Sequence, residues 1–329
     1  MRKQHFLVTG GAGFIGSHLV DALLEAGHSV TVLDDLSVGK EQNFAHHRTH
    51  PDFHFVKGSV LDKPLVERLI APVDGVYHLA AVVGVKYVVE DPLHGMQVNV
   101  RGTETILETA LERRCKVVIA SSSETYGKST QVPFAEENNT VLGATSIPRW
   151  SYAVAKLLDE HLACAYYRQK GLPTVCVRYF NAYGPRLDPR GYGSVIARFI
   201  SQALDGNPLT VYGDGQQTRS FTFVGDAVYG TIAAMETPES AGLTFNIGNP
   251  REITMDQLAR TIQEAVGTAG AILHIPYTEA YGANFEDSRR RLPDIQRSKA
   301  VLGFEATTSL EDGLHQTILW FKEHRHEFI

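Results

Sequence analysis

The chain of 329 residues predicts an α/β fold, a doubly wound parallel sheet with a smaller, interleaved C-terminal lobe. Three observations predict it. Strand-like and helix-like segments alternate through the first half. A burst of glycines joins the first strand to the first helix. An acidic pair closes the second strand.

His5 to Thr9 is a short apolar run and reads as the first buried strand. Phe14 to Ala26 reads as a helix, with Ile15, Leu19 and Leu23 on one face and Gly27 as its stop. Between them, Gly11, Gly13 and Gly16 have the dinucleotide-binding spacing, and Gly10 adds a wider one. Glycine allows a tight turn, close backbone approach to a pyrophosphate, and close helix–strand packing. The helix N-terminus then offers free N–H groups to phosphate. Ser29 to Leu33 forms the next strand and ends in Asp34-Asp35. A carboxylate there accepts from ribose hydroxyls and repels a 2′-phosphate, so NAD is expected over NADP.

Further strands are expected at 53–57, 73–80, 116–121 and 174–180, with helices at 62–70, 97–114 and 151–169. Such alternation implies right-handed crossovers and helices on both faces of the sheet. Beyond Phe180 the pattern loosens, with Gly184-Pro185, Gly191, Gly193, Asn207-Pro208 and Gly213-Asp214-Gly215 as punctuation. A last amphipathic helix is expected near 310–325.

The net charge of −6 gives no electrostatic reason to expect nucleic acid or a membrane surface as partner. No apolar run is long enough to span a bilayer. Cys115, Cys164 and Cys176 lack metal or redox spacing and read as buried thiols. A cytoplasmic location is expected. His46, His47, His50 and His54 cluster near a turn and read as a solvated loop, so no metal is expected.

Strand 116–121 runs into Ser122-Ser123-Glu124-Thr125-Tyr126-Gly127, at the carboxyl end where ligands bind in such sheets. Tyr152 and Lys156 lie four apart, on one helix face. Lys156 would favour the phenolate and lower the Tyr152 pKa, making a base for a sugar hydroxyl.

The chain resembles the NAD-dependent nucleotide-sugar epimerase/dehydratase family of extended short-chain dehydrogenase/reductases, built on a Rossmann domain. The resemblance runs nearly full length: TGGAGFIG, LDDLS at 33–37, HLAA at 78–81, NVRGT at 99–103, SSSETYG, YAVAK, RYFNAYGPR at 178–186, TVYGDGQQTRSF at 210–221, FNIGNP at 245–250, and RLPDI. It implies that 1–180 and 219–248 bind NAD and that 181–218 and 249–329 bind the nucleotide sugar. Gly10, Gly13, Phe14, Ile15 and Gly16 would hold the pyrophosphate. Asp34 would bind the adenosine ribose, with Asp35, Ser37 and Gly39 beside it. Ser59 and Val60 would flank the adenine, where many relatives carry Asp at the position of Ser59. Leu79, Ala80, Ala81 and Asn99 would lie along the cofactor. Ser122 would bond the sugar 4-hydroxyl, with Tyr152 as base and Lys156 as its tuner. Ser123, Asn181, Tyr212, Arg219, Arg291 and Asp294 would contact the substrate. Glu136 and Glu137 would shape a loop over the sugar. Helices 97–114 and 151–169 match those that pair between subunits in relatives, so a homodimer is expected.

The shared first step in the family is oxidation at C4, after which the hydride returns. Ser-Ser-Glu is similar to the Thr-Ser-Glu of UDP-glucuronate decarboxylases and of GDP-mannose dehydratases; the first reading is a UDP-glucuronate decarboxylase, nearly level with a 4-epimerase, with Glu124 catalytic and Arg186 on the C6 carboxylate. The stretch around Gly84 to Tyr87, including Lys86 as a substrate contact, resembles UDP-sugar 4-epimerases instead. A 4,6-dehydratase is the third reading. A non-catalytic NAD-binding regulator is a fourth, and it would be expected to have lost Tyr152 or Lys156.

Overall fold

The structure, a computed structural model, describes residues 2–84, 90–188, 194–281 and 288–325. Strand β1 (His5–Thr9) leads through the glycine turn into α1 (Phe14–Glu25) and β2 (Ser29–Asp34). Then come β3 (Phe53–Lys57), α2 (Lys63–Ile70) and β4 (Gly75–His78). Helices α3 (Pro92–Met96) and α4 (Gly102–Arg113) precede β5 (Lys116–Ser122), α5 (Trp150–Lys170) and β6 (Thr174–Tyr179).

Two of the expected boundaries shift for a local reason. The strand expected to reach residue 80 ends at His78. Beyond it, Leu79 N–H donates to the Thr9 carbonyl at 3.0 Å and Ala80 N–H to Thr9 Oγ1 at 3.2 Å, so the chain turns away. The helix expected from 97 starts at Pro92, capped by Asp91, and passes through one wide π turn at Gln97–Arg101. Such turns interrupt helices at functional places. Here the turn carries Asn99, which clamps Val82: Oδ1 accepts from Val82 N–H at 2.7 Å and Nδ2 donates to Val82 O at 3.2 Å.

The second half supplies short strands β7 (Ala182–Tyr183), β8 (Leu209–Tyr212), β9 (Thr218–Ser220) and β10 (Thr222–Phe223), with α6 (Val195–Leu204) after β7 and α7 (Val224–Glu236) after β10. Strand β11 (Thr244–Ile247) then rejoins the main sheet. After it come β12 (Glu252–Thr254), α8 (Met255–Val266), β13 (Ile272–Ile275), α9 (Tyr277–Tyr281), β14 (Arg290–Arg291), α10 (Gln296–Leu302) and α11 (Leu310–Glu323).

The main sheet has seven parallel strands in the order β11-β6-β5-β4-β1-β2-β3. The order reverses between β1 and β4, and ligands bind outside the carboxyl ends of strands at such a switch point. Its core splits by face. Leu19, Leu23, Val32, Val118 and Phe245 pack on one side, and Leu7, Leu33, Ile106, Ile119 and Leu172 on the other. A separate cluster, including Phe199, Leu209, Leu258 and Leu314, holds α6, β8, α8 and α11 together. β9 pairs with β12 and β14 in a small sheet that carries Arg219 and Arg291 side by side.

Candidate active site

A cleft of about 450 Å³ opens over the carboxyl ends of the central strands. One end is backbone and glycine. Gly10 has φ +73°, and a Cβ there would lie 2.6 Å from Ala80 N. A Cβ on Gly16 would collide with the Gly10 carbonyl. Those two positions admit only glycine. Gly13 caps α1 without a side chain, leaving the helix N-terminus open to the cleft. Phe14, Ile15, Leu79, Ala80, Ala81, Ser59 and Val60 line it too, as do Ser37 and Gly39.

Asp34 and Asp35 line the cleft at the end of β2. Asp34 also organises the floor: Oδ2 accepts from Ala12 N–H at 3.0 Å and Oδ1 from Leu36 N–H at 2.9 Å. Burial pushes its carboxyl upward, and the two N–H groups oppose that.

The other end is chemical. β5 and the short turn after it deliver Ser122, Ser123 and Glu124, and α5 delivers Tyr152 and Lys156, all into the same cleft. Tyr152 is hydrogen-bonded to Ser122, and Lys156 stands beside the phenol. Lys156 is 2% exposed, so it is no surface lysine of an ordinary amphipathic helix. The Tyr152 phenol nonetheless sits above its ordinary pKa, contrary to the sequence expectation. Burial raises it, Lys156 pulls it down, and Glu124 and Asp159 push it back up.

Glu124 is held between two arginines. Arg291 Nη1 lies 2.6 Å from Oε1, and Arg149 Nη2 lies 3.3 Å from Oε2. Burial disfavours its charge, but Arg291, then Arg149 and Arg219, bring the carboxyl down to about 2. Glu124 is therefore an anion at neutral pH, not an acid with a proton to give. In the sequence Arg149 stands out only as part of the stretch Arg149-Trp150-Ser151-Tyr152, which resembles that of a bacterial nucleotide-sugar decarboxylase, with no role of its own. It stands three residues before Tyr152 at the start of the same helix, a spacing that places both on one face.

Other expected residues fall elsewhere. Asn99 does not line the cleft and instead clamps Val82, next to the lining residue Ala81. Arg186 points away from the cleft: Nη2 pairs with Asp21 on α1 at 2.7 Å, and φ is +65°. The turn that follows Gly184-Pro185 aims it at the back of α1, where His46 and His47 also meet Asp21 at 3.0 and 2.7 Å. These three side chains bring metal-ligating atoms together, while Arg186 holds the second carboxylate oxygen. Tyr212 lies under the Arg198 guanidinium at 3.9 Å, outside the cleft. Asp294 accepts from Gln296 N–H at 2.9 Å and starts α10. Arg219 is buried on β9, near enough to act on Glu124. Asn181 lines the cleft and donates to Ser220 O at 2.8 Å. Glu136 accepts from Asn246 N–H at 2.8 Å and braces β11 instead of covering the site. Lys86, Gly191 and Gly193 lie outside the described residues. Cys115 and Cys176 are buried as expected, Cys164 only partly, and all three are free thiols.

A dinucleotide-type turn and a Tyr–Lys pair facing each other across one parallel sheet define the class: this is an extended short-chain dehydrogenase/reductase. Comparison with known proteins agrees. The family profile described as GDP-mannose 4,6 dehydratase matches residues 7–317, and the chain belongs to that family. UDP-N-acetyl-alpha-D-glucosaminuronate decarboxylase of Bacillus cytotoxicus is 44% identical over 321 residues, covering 98% of each chain. UDP-glucuronic acid decarboxylase 1 of Xenopus tropicalis is 37% identical, over 98% of this chain and 73% of its own. The solved structure of UDP-glucuronic acid 4-epimerase from Bacillus cereus, in complex with UDP-glucuronic acid and NAD, matches with a TM-score of 0.87. Its identity is 30%, over 97% of this chain and 99% of that one.

Proposed function

We propose that the protein is an NAD-dependent decarboxylase of a UDP-linked uronic acid. The observation that carries this is the Glu124–Arg149–Arg291 cluster beside Tyr152, a cationic pair at the sugar end of the cleft. The relatives named for uronate decarboxylation support it.

The glycine cradle, the open end of α1 and the acidic pair after β2 fit NAD. Gly10, Gly13, Phe14, Ile15 and Gly16 would hold its pyrophosphate, and Asp34 and Asp35 its ribose. Held there, NAD would supply a hydride acceptor for C4 and the source of the hydride's return. Tyr152 takes the proton of the C4 hydroxyl, with Ser122 bonded to the phenol and Lys156 favouring its anion. The 4-keto uronate is a β-keto acid. As the C5–C6 bond breaks, its electron pair moves onto the C4 oxygen and carbon dioxide leaves. Ser122 and Tyr152 would donate to that oxygen. Arg149 and Arg291, in place of Arg186, would receive the C6 carboxylate. Glu124 keeps the two guanidinium groups converged. Asn181 and Arg219 would face the diphosphate, with Asp294 on the nucleotide side. Residues 1–180 and 219–248 form the cofactor lobe in this reading, and 181–218 and 249–329 the nucleotide-sugar lobe.

A second reading, a UDP-uronate 4-epimerase, is favoured by the match to the Bacillus cereus structure. The test is incubation with UDP-glucuronate, UDP-N-acetylglucosaminuronate and neutral UDP-, GDP-, dTDP- and CDP-hexoses, without added NAD, followed by mass spectrometry. Loss of carbon dioxide from a uronate is expected. A uronate epimerised with its carboxylate retained makes the protein an epimerase. Turnover of neutral sugars alone ends the carboxylate reading.

A homodimer belongs to the same proposal. Val154 and Leu158, 40% and 43% exposed, share a face of α5, and Leu93 and Met96 on α3 are also exposed. Sedimentation at working concentration tests it. No helix among the described residues is long and apolar enough to cross a membrane. Free thiols support a cytoplasmic location.

A further inference from the structure

Behind the Tyr152–Lys156 pair lies a buried carboxylate that the proposed reaction does not use. Asp159 is fully buried, and its Oδ2 accepts from Lys156 Nζ at 3.1 Å. It sits one turn along α5, so it approaches the ammonium from the side away from the substrate cleft, whose lining includes Lys156 and not Asp159. Thr103 on α4 faces the same carboxylate and favours its charged form. Thr103 Oγ1 lies 3.2 Å from His78 Nε2, and His78 Nδ1 lies 2.8 Å from Thr9 Oγ1. A buried row of polar groups thus runs behind the phenol, from Lys156 and Asp159 past Thr103 and His78 to the first strand.

The other groups around it are accounted for. Burial, with help from Lys156, drives His78 down to about 3, so that imidazole is neutral. Cys176 on β6 faces Lys156, and burial pushes its thiol well up, so it is neutral too. Glu160, the next residue on α5, is turned to Arg178, with Nη2 at 2.6 Å, and to Ser121. Glu124 lies toward the substrate side and is paired with Arg149 and Arg291. Among the described residues, Asp159 is the anion bonded to the Lys156 ammonium.

We infer that Asp159 is a positioning residue that anchors the Lys156 ammonium and moderates its pull on the Tyr152 phenol. The inference rests on the proposed role of Tyr152 as the base. A lysine alone beside a buried phenol favours the phenolate strongly; a carboxylate behind it cancels part of that field. The base in this reaction must take a proton from the C4 hydroxyl and give one back when the ketone is reduced. A phenol with an intermediate pKa serves both directions, whereas a strongly acidic one serves only the first.

The test is Asp159→Asn, which keeps the shape and an acceptor for Lys156 and removes the charge. The readout is the pH dependence of kcat/KM on the uronate turned over in the substrate screen. The midpoint of the acidic limb is expected to fall by about one pH unit, a size typical of a nearby charge. Activity below the wild-type midpoint then rises relative to activity above it. A midpoint that stays in place or rises overturns the inference, whatever happens to the maximal rate. Should Asp159→Asn not fold, as judged by circular dichroism, Thr103→Val decides the question. It removes a hydroxyl that favours the charged carboxylate, so the midpoint should fall in the same direction by a smaller amount. No fall overturns the inference. Tyr152→Phe is run alongside. If that variant turns over normally, the base has been misassigned; if it is dead while the Asp159→Asn midpoint is unmoved, only the role of Asp159 is wrong.

Discussion

Replacing Glu124 by Gln should cost stability at neutral pH, and the cost should shrink in acid. The carboxyl falls from its usual 4.5 to about 2 in the folded chain, chiefly because Arg291 and Arg149 outweigh its burial. At about 1.4 kcal/mol for each tenfold step, that preference for the charged form amounts to about 3 kcal/mol. The Glu124 side chain is 25% exposed, so this figure is an upper value. The sign follows from linkage: a carboxyl whose pKa is depressed by folding stabilises above its unfolded pKa and loses that contribution as pH falls through the folded one. By this relation the contribution drops from about 3 kcal/mol at neutral pH to about 1.4 kcal/mol at about pH 3. Urea unfolding of wild type and Glu124→Gln over this range measures the gap directly. The gap should narrow by roughly half on acidification. A gap that is constant with pH, or one that widens in acid, would refute the pairing of Glu124 with its arginines.

Tyr152→Phe should lower turnover by roughly two to four orders of magnitude, with fold and NAD binding kept, and Ser122→Ala by less. Purified wild type should release NAD, not NADP, on denaturation, because Asp34 and Asp35 line the cofactor end of the cleft. Gly16→Ala should arrive without cofactor, since the added methyl meets the Gly10 carbonyl. Arg186→Ala should leave KM for uronate and neutral UDP-sugars alike, because Arg186 pairs with Asp21. Its effect should appear instead as a loss of about 1 kcal/mol or less in stability by urea titration.

What could be read from the chain was whatever local sequence decides. The strands up to β6 lie within two residues of their expected bounds because each is a short apolar run closed by turn residues. The Tyr152–Lys156 pair is legible because four residues make one helical turn. The rest depends on distant meetings. Glu124 and Arg291 are 167 residues apart in the chain, yet they share a hydrogen bond because β14 pairs with β9 behind the cleft. β7, β10 and β14 have two residues each, too few to show any alternation. The direction of Arg186 turns on one positive φ and an aspartate on α1, neither of which leaves a pattern in the sequence around it. The Tyr152 pKa was misread for a related reason. The neighbour Lys156 is visible in sequence, while the depth of burial that outweighs it is not.

The charge of the site suits an anionic nucleotide sugar. Arg149 and Arg291 converge on Glu124, and the buried Arg219 lies near enough to act on it. A UDP-uronate brings a doubly charged diphosphate and one carboxylate, and a low-dielectric cleft strengthens their attraction to the guanidinium groups. A neutral-sugar 4-epimerase has no carboxylate at C6 for these groups to bind, whereas a uronate epimerase has one and keeps it. For a decarboxylase the carboxylate is the leaving part. In the proposed reaction its attraction to Arg149 and Arg291 would orient the C5–C6 bond while it is present and vanish with carbon dioxide. In the proposed reaction the site would hold the substrate more tightly than the product. Glu124, an anion between the two guanidinium groups, would temper this attraction in the proposed reaction.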